Sequence, residues 1–337
     1  MSSAIEAITW QNEKIVLLDQ TQIPISENYI SYDEISTFIV AIQQLVVRGA
    51  PALGVAGAYG VVLAIDEAKR KGLSAQELER NIDLLRDARP TAVNLAWAVE
   101  LIRKHLPAGR DAVLAAAHQL AREDKESSIS MGNIGADWLI NKLGNKPLTL
   151  LTHCNTGSLA TTGTGTALGV IKELHKRGNV KEVYADETRP LLQGSRLTAW
   201  ELMKSGIPYR IQPDGAAAMA ILSGRIDAAL IGADRIAKNG DSANKIGSLS
   251  VALACHAAGI PFLVVAPEST VDRTILSGSD IHIEIRADEE LTYFKGIQVA
   301  PIGAKTFNPA FDVTPAKYIS AVITELKVYE IAKGQAL

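Results

Sequence analysis

The spacing of apolar residues changes character partway along the chain. In ITWQNEKIVLLD, residues 8–19, apolar positions alternate around the polar group Gln11-Asn12-Glu13, which predicts a β-hairpin. Ser31 with Glu34, and Ser74 with Glu77, each set a hydroxyl three residues before a carboxylate, the spacing that caps a first helical turn. Helical spacing recurs from Thr91 to Lys104, Asp111 to Arg122 and Ser127 to Lys142. Residues 1–145 thus read as a mainly helical domain that opens with a hairpin or small sheet.

From residue 146 the period shortens. Apolar runs at PLTLLTHC (147–154), VKEVYADE (180–187), YRIQPD (209–214), DAALIGAD (227–234), PFLVVAP (261–267) and IHIEIR (281–286) predict strands. Helical spacing fills 158–177, 195–205, 215–223 and 245–258. Alternating strands and helices imply right-handed crossovers and a parallel sheet. Runs that are apolar nearly throughout suit strands covered on both faces. The fold class is therefore α/β, with residues 146–337 as a doubly wound domain.

Composition removes several alternatives. The 337 residues are 47% apolar and 21% charged, ample for packed cores. A net charge of −3 without a lysine or arginine run argues against a nucleic-acid partner. The start, MSSAIEAITWQNEK, lacks the basic and apolar regions of a secretory signal. PALGVAGAYGVVLAI (51–65) is short for a bilayer span and broken by glycines, so it predicts a buried helix and no membrane partner. Cys154 and Cys255 alone build neither a disulfide framework nor a metal cage. These features point to a soluble cytoplasmic protein.

Ligands of open α/β sheets bind beyond the carboxyl ends of the strands. Those ends carry Thr152-His153-Cys154-Asn155, Asp186-Glu187-Thr188, Gln212-Pro213-Asp214 and Gly232-Ala233-Asp234-Arg235. Aspartate and asparagine often end strands simply as turn formers, but four polar ends, one with a thiol, mark this rim as a site. Cys255, in SLSVALACHAAG, reads as core. His153 points away from Cys154 across the strand and reads as packed, and the six histidines form no metal-binding pair. In GTGTALG, Gly163, Gly165 and Gly169 miss the dinucleotide spacing by one residue, and no P-loop pattern is present. Backbone N–H groups of this Gly/Thr segment either approach an anionic ligand or let a helix pack closely on the sheet. Arg48 in RGAPALG and Arg89 in RPTAVNLAW each precede a helix start, a setting that suits phosphate.

The blocks RGAPALGVAGAYG, RPTAVNLAW, THCNTGSLATTGTGTALG, ADETRPLLQGSRLTAWEL, GADRIAKNGDSANKIGS and NPAFDVTP, between residues 48 and 315, together resemble the methylthioribose-1-phosphate isomerases. That family shares a superfamily with the regulatory alpha, beta and delta subunits of translation initiation factor 2B. The resemblance implies a helical N-terminal domain with a small sheet, a Rossmann-like C-terminal domain and a homodimer. It implies conversion of 5-methylthioribose 1-phosphate to 5-methylthioribulose 1-phosphate in methionine salvage. It assigns catalysis to Cys154 and Asp234, and substrate binding to Arg48, Gly49, Ala50, Arg89, Gln193, Asn244 and Lys245. No cofactor and no metal are expected.

The chemistry of that substrate agrees. Its anomeric carbon is a phosphate ester, so an acid must assist cleavage of the ring C–O bond before hydrogen moves from C2 to C1. Asp234 is the candidate for ring opening and Cys154 for hydrogen transfer, as a proton or around a hydride shift. Arg48, Arg89 and Lys245 would hold the phosphate, with backbone donors added by the Gly/Thr segment. The competing expectations are a non-catalytic regulatory subunit, an isomerase of 5-deoxyribose 1-phosphate or ribose 1,5-bisphosphate, and, more distantly, a nicotinamide dehydrogenase.

Overall fold

The computed structural model describes residues 5–90, 92–333, 335 and 337. Strands β1 (Ile8–Gln11) and β2 (Lys14–Leu18) form the expected antiparallel hairpin, with Gln11 opposite Lys14. Asn12 and Glu13 both take positive φ, +50° and +59°, the two-residue turn whose twist matches paired strands. A third strand, β3 (Tyr29–Tyr32), places Ser31 opposite Val16, so Ser31 starts no helix. Helix α1 (Ile35–Gln43) begins later, and its first N–H is satisfied from afar by the Glu67 carboxylate. The aromatic and β-branched run Tyr29-Ile30-Ser31-Tyr32 outweighs the local capping pattern. At Ser74 and Glu77 the pattern holds, and the reciprocal capping box opens α3 (Ala75–Arg86).

Helix α2 (Ala50–Lys71) is longer than its apolar run suggests. By length and composition alone it could cross a bilayer, yet 78% of its apolar window is buried within the protein. It lies at the centre of a core shared with α1, α3 and α4 (Val93–Arg103). The expected start of α4 at Thr91 lies outside the described residues. The two helices expected at Asp111–Arg122 and Ser127–Lys142 are one, α5 (Arg110–Leu143), because the intervening Glu123-Asp124-Lys125-Glu126 contains no glycine or proline to break it. Val113 and Ala117 of α5 join the first core, while Met131, Ala136 and Leu139 join a second.

The main sheet contains β4 (Leu148–Thr152), β5 (Val180–Asp186), β6 (Tyr209–Gln212), β7 (Ala228–Ile231) and, after β8 (Arg235–Ala237) and β9 (Ser242–Lys245) of a smaller sheet, β10 (Phe262–Val265). Its spatial order is β6, β5, β4, β7, β10, then Ala321–Ile323, all parallel, closed by the antiparallel edge Val328–Tyr329. Helices α5 and α6 (Ala167–Lys176) cover one face, and α8 (Ala217–Leu222) and α9 (Ser248–Ala258) the other. The α/β doubly wound expectation is met.

IHIEIR is not one of its strands. Only Ile285 makes an isolated bridge, to Pro309, and the sheet position goes to Ala321-Val322-Ile323. A strand covered on both faces must be apolar on both, and Glu284 and Arg286 fail that test. The helix expected at 158–177 is also shorter, since residues 161–166 form a loop before α6. Beyond β7, strands β8 (Arg235–Ala237) and β9 (Ser242–Lys245) pair antiparallel, and Phe311–Thr314 adds to β9.

Candidate active site

Strand β4 delivers Cys154 to the sheet rim with φ +63°, a conformation uncommon for a residue with a side chain. The surrounding chain enforces it. Cys154 N donates to Thr188 Oγ1 at 2.9 Å, and Thr198 Oγ1 donates to the Cys154 carbonyl at 2.6 Å. Past β7, Asp234 N donates to Ala243 O at 2.9 Å, so the β8–β9 turn folds back and carries Lys245 towards Asp234. From the helical part come the N-termini of α2, at Gly49, and α4, at Ala92. Neither is capped by a side chain, which leaves N–H groups of each first turn available.

These elements enclose a cleft of about 860 Å³, counting its open mouth. Cys154, Asp234, Arg48, Gly49, Ala50, Arg89, Gln193 and Lys245 all line it. Asn244 does not. It is 4% exposed and its amide donates to Ser248 Oγ at 2.9 Å, which braces the start of α9 behind Lys245. The Gly/Thr segment is also elsewhere. Thr162 hydrogen-bonds Asp124 and Thr164 N donates to Ser128 Oγ, so the loop packs on α5, and none of residues 156–166 lines the cleft. Close packing uses those small residues, since a Cβ at Gly165 would stand 2.5 Å from the Gly157 backbone. The cleft adds Glu284, Arg286 and Glu290, which sequence reasoning missed. The only signal for Glu284 and Arg286 is the alternation of charge with isoleucine in 281–286, which by itself suggests a strand, and Glu290 has none.

Burial sets the electrostatics. It pushes the Asp234 carboxyl above the ordinary carboxylate range, against the pull of Lys245, Arg48 and Arg89. Among the described residues none hydrogen-bonds that carboxyl. Burial lowers the Lys245 ammonium, opposed by Cys154 and Asp234, and its Nζ lies 4.6 Å from the Phe311 ring centroid. Burial likewise lowers Arg89, opposed by Glu284 and Asp234, though a guanidinium stays charged. Arg48 Nη2 lies 3.4 Å from Cys154 Sγ. Cations, a carboxyl that burial shifts towards its protonated form and a thiol thus face one cleft, the equipment for binding an anion and moving protons beside it.

Behind the rim, His153 is packed as expected. Its ring nitrogens face Asp186 Oδ2 at 3.0 Å and the Ile246 carbonyl at 2.8 Å. Burial opposes its charged form, but two facing acceptors and the charges of Asp186 and Asp214 hold the imidazolium above its usual range. His153, Asp186 and Asp214 are spaced for a metal, yet Gln212 and the Thr188 and Arg189 N–H groups already occupy the carboxylates. Cys255 is core, its thiol pushed up to about 12 by burial.

Known proteins match this chain over most of its length. Residues 46–330 match the model of the initiation factor 2 subunit family. The methylthioribose-1-phosphate isomerase of Marinobacter nauticus is 47% identical over 95% of this chain and 92% of its own. The chain belongs to the methylthioribose-1-phosphate isomerase family. A crystal structure of a family member, 5-methylthioribose 1-phosphate isomerase from Pyrococcus horikoshii, superposes with a TM-score of 0.89 at 37% identity, covering 98% of this chain and 93% of that one. A structure described as translation initiation factor eIF-2B subunit delta from A. fulgidus gives 0.85 at 38% identity over 97% and 96%. A probable bifunctional isomerase/dehydratase of the family, from Nocardia farcinica, is 48% identical over 95% of this chain, which spans 58% of its length.

Proposed function

We propose that the chain converts 5-methylthioribose 1-phosphate to 5-methylthioribulose 1-phosphate, the aldose–ketose isomerisation of methionine salvage, in this cleft. The observation that carries the reading is the shared cleft itself. Cys154 and Asp234 face it together with Arg48, Arg89 and Lys245, between two uncapped helix N-termini. The three cations and the N–H groups hold the phosphate. Asp234, protonated, gives its proton to the ring oxygen as the C1–O bond breaks. Cys154 takes the C2 hydrogen as a proton and returns it to C1, and Asp234 recovers the proton of the C2 hydroxyl. Both groups end as they began.

Similarity reaches a chain described as an initiation-factor subunit, while the curated relatives at 45–48% identity are named as isomerases. The thiol and carboxyl support the enzyme reading, since a scaffold needs neither. Leu45, Leu53, Val93, Leu191 and Phe311 give the cleft an apolar wall that suits an uncharged 5-methylthio group better than a second phosphate. We further propose a cytoplasmic homodimer that acts on a small-molecule sugar phosphate without added cofactor, its assembly checked by sedimentation. The test is ketose formation from 5-methylthioribose 1-phosphate, 5-deoxyribose 1-phosphate and ribose 1,5-bisphosphate side by side, with no nicotinamide. Cys154→Ser and Asp234→Asn should each lose roughly 10³-fold or more in kcat while remaining folded. Wild-type turnover by either variant, or a nicotinamide requirement, overturns the assignment.

A further inference from the structure

Beneath the cleft, Glu201 of α7 (Ala199–Lys204) is fully enclosed, 0% exposed. Its carboxylate accepts from Ser158 N at 2.7 Å, Leu159 N at 3.2 Å, Lys172 Nζ at 2.8 Å and Asn155 Nδ2 at 2.9 Å. Every partner is a nitrogen donor, so Glu201 sits there as an acceptor at both oxygens. An amide has one donating and one accepting end. With its Nδ2 held by Glu201 and, at 3.3 Å, by Thr198 Oγ1, Asn155 turns its Oδ1 the other way, and there it accepts from Arg48 Nη1 at 3.0 Å. A guanidinium is planar and rigid, so fixing Nη1 also fixes Nη2, which lies 3.4 Å from Cys154 Sγ.

We propose that Glu201 and Asn155 are positioning residues, which aim Arg48 at the reacting thiol and at the phosphate by dictating which way the Asn155 amide faces. The proposal deepens the isomerase reading and rests on it for the identity of the reaction. It assigns a purpose to a buried charge that touches no ligand. The carboxylate also pairs with Lys172 Nζ, and as a group that only accepts it orients the Asn155 amide as well.

The polarity of the chain can be reversed in place. In Asn155→Asp, two carboxylates confront each other. In Glu201→Gln, the side chain can donate as well as accept, which leaves the longer contact to Thr198 Oγ1, at 3.3 Å, as the remaining fixed acceptor for Asn155 Nδ2. With both substitutions together, the amide introduced at position 201 donates to the carboxylate introduced at position 155. That carboxylate still offers Arg48 an oxygen, and the net charge is unchanged. The swap sacrifices the Leu159 N–H contact, the longest of the four, together with the Asn155–Thr198 contact and the charge that pairs with Lys172.

The purified full chain and its variants Asn155→Ala, Asn155→Asp, Glu201→Gln and Asn155→Asp/Glu201→Gln are compared in two measurements. One is kcat/KM for 5-methylthioribose 1-phosphate, and the other is the affinity for inorganic phosphate by calorimetry, with circular dichroism to establish folding. Losing a hydrogen bond to a charged group corresponds to roughly 10- to 100-fold, so each single variant should fall by that much in kcat/KM and in phosphate affinity. The double variant should recover to within about tenfold of wild type in both. A folded Asn155→Ala or Glu201→Gln with wild-type values overturns the proposal, as does a double variant no better than Asn155→Asp. If Glu201→Gln fails to fold, Asn155→Ala and the double variant decide. A wild-type chain that binds phosphate but does not isomerise the sugar overturns the isomerase reading, while the phosphate affinities still test the positioning.

Discussion

A carboxyl that burial pushes upward keeps its proton further towards neutrality, and Asp234 is such a carboxyl. As a general acid it works only while protonated, so kcat/KM should hold on the acid side and fall as pH rises through its elevated value. The lowered Lys245 ammonium adds to the same alkaline limb by losing the charge that holds phosphate. A profile with no alkaline limb would remove Asp234 as the acid. The same shift has a thermodynamic side. Because the folded value lies above the unfolded one, the unfolded chain ionises first, and stability is lost as pH rises past the ordinary carboxylate range. Asp234→Asn deletes that cost. It should be inactive yet melt at or above the wild-type temperature near neutrality, with the gap closing in acid. A variant that melts well below wild type at neutral pH would show that the three cations depend on the Asp234 charge.

Among the elements, the entry to α2 tolerates little change. Gly49 has φ +92°, and a Cβ there would stand 2.6 Å from the Ala160 backbone. Gly49→Ala must therefore strain the turn or push the chain off residues 158–160, and either moves Arg48. We expect destabilisation of about 1–3 kcal/mol and a kcat/KM loss of more than roughly tenfold, read by denaturant unfolding and by assay. The two serine–glutamate pairs show how far such local chemistry is legible. Ser74 and Glu77 cap a helix because that segment can be nothing else, whereas Ser31 lies in a run better suited to pairing with β2. In the same way 281–286 has the alternation of a strand, but its charged members face the cleft. Periodicity reports that alternate side chains differ in surroundings. It does not report whether the polar side meets solvent or a ligand.

For the whole molecule, the sheet rim is legible from sequence because parallel strands expose their carboxyl ends to one side, and both Cys154 and Asp234 lie there. What the sequence leaves open is the opposite wall. Arg48 reaches Cys154 across 106 positions, a contact set by how the helical part docks on the sheet. No spacing rule encodes such a distance, and the family resemblance supplies it instead. Asn244, assigned by that resemblance to substrate, braces α9. Helix α5 has one more bearing on the molecule. As a single rod of 34 residues, about 50 Å long, it gives its first half to one core and its second to the other. Heating that loosens either core frays a helix on which the other depends. A calorimetric scan should therefore show one cooperative melting peak, and Gly substitutions near residue 124 should split it in two.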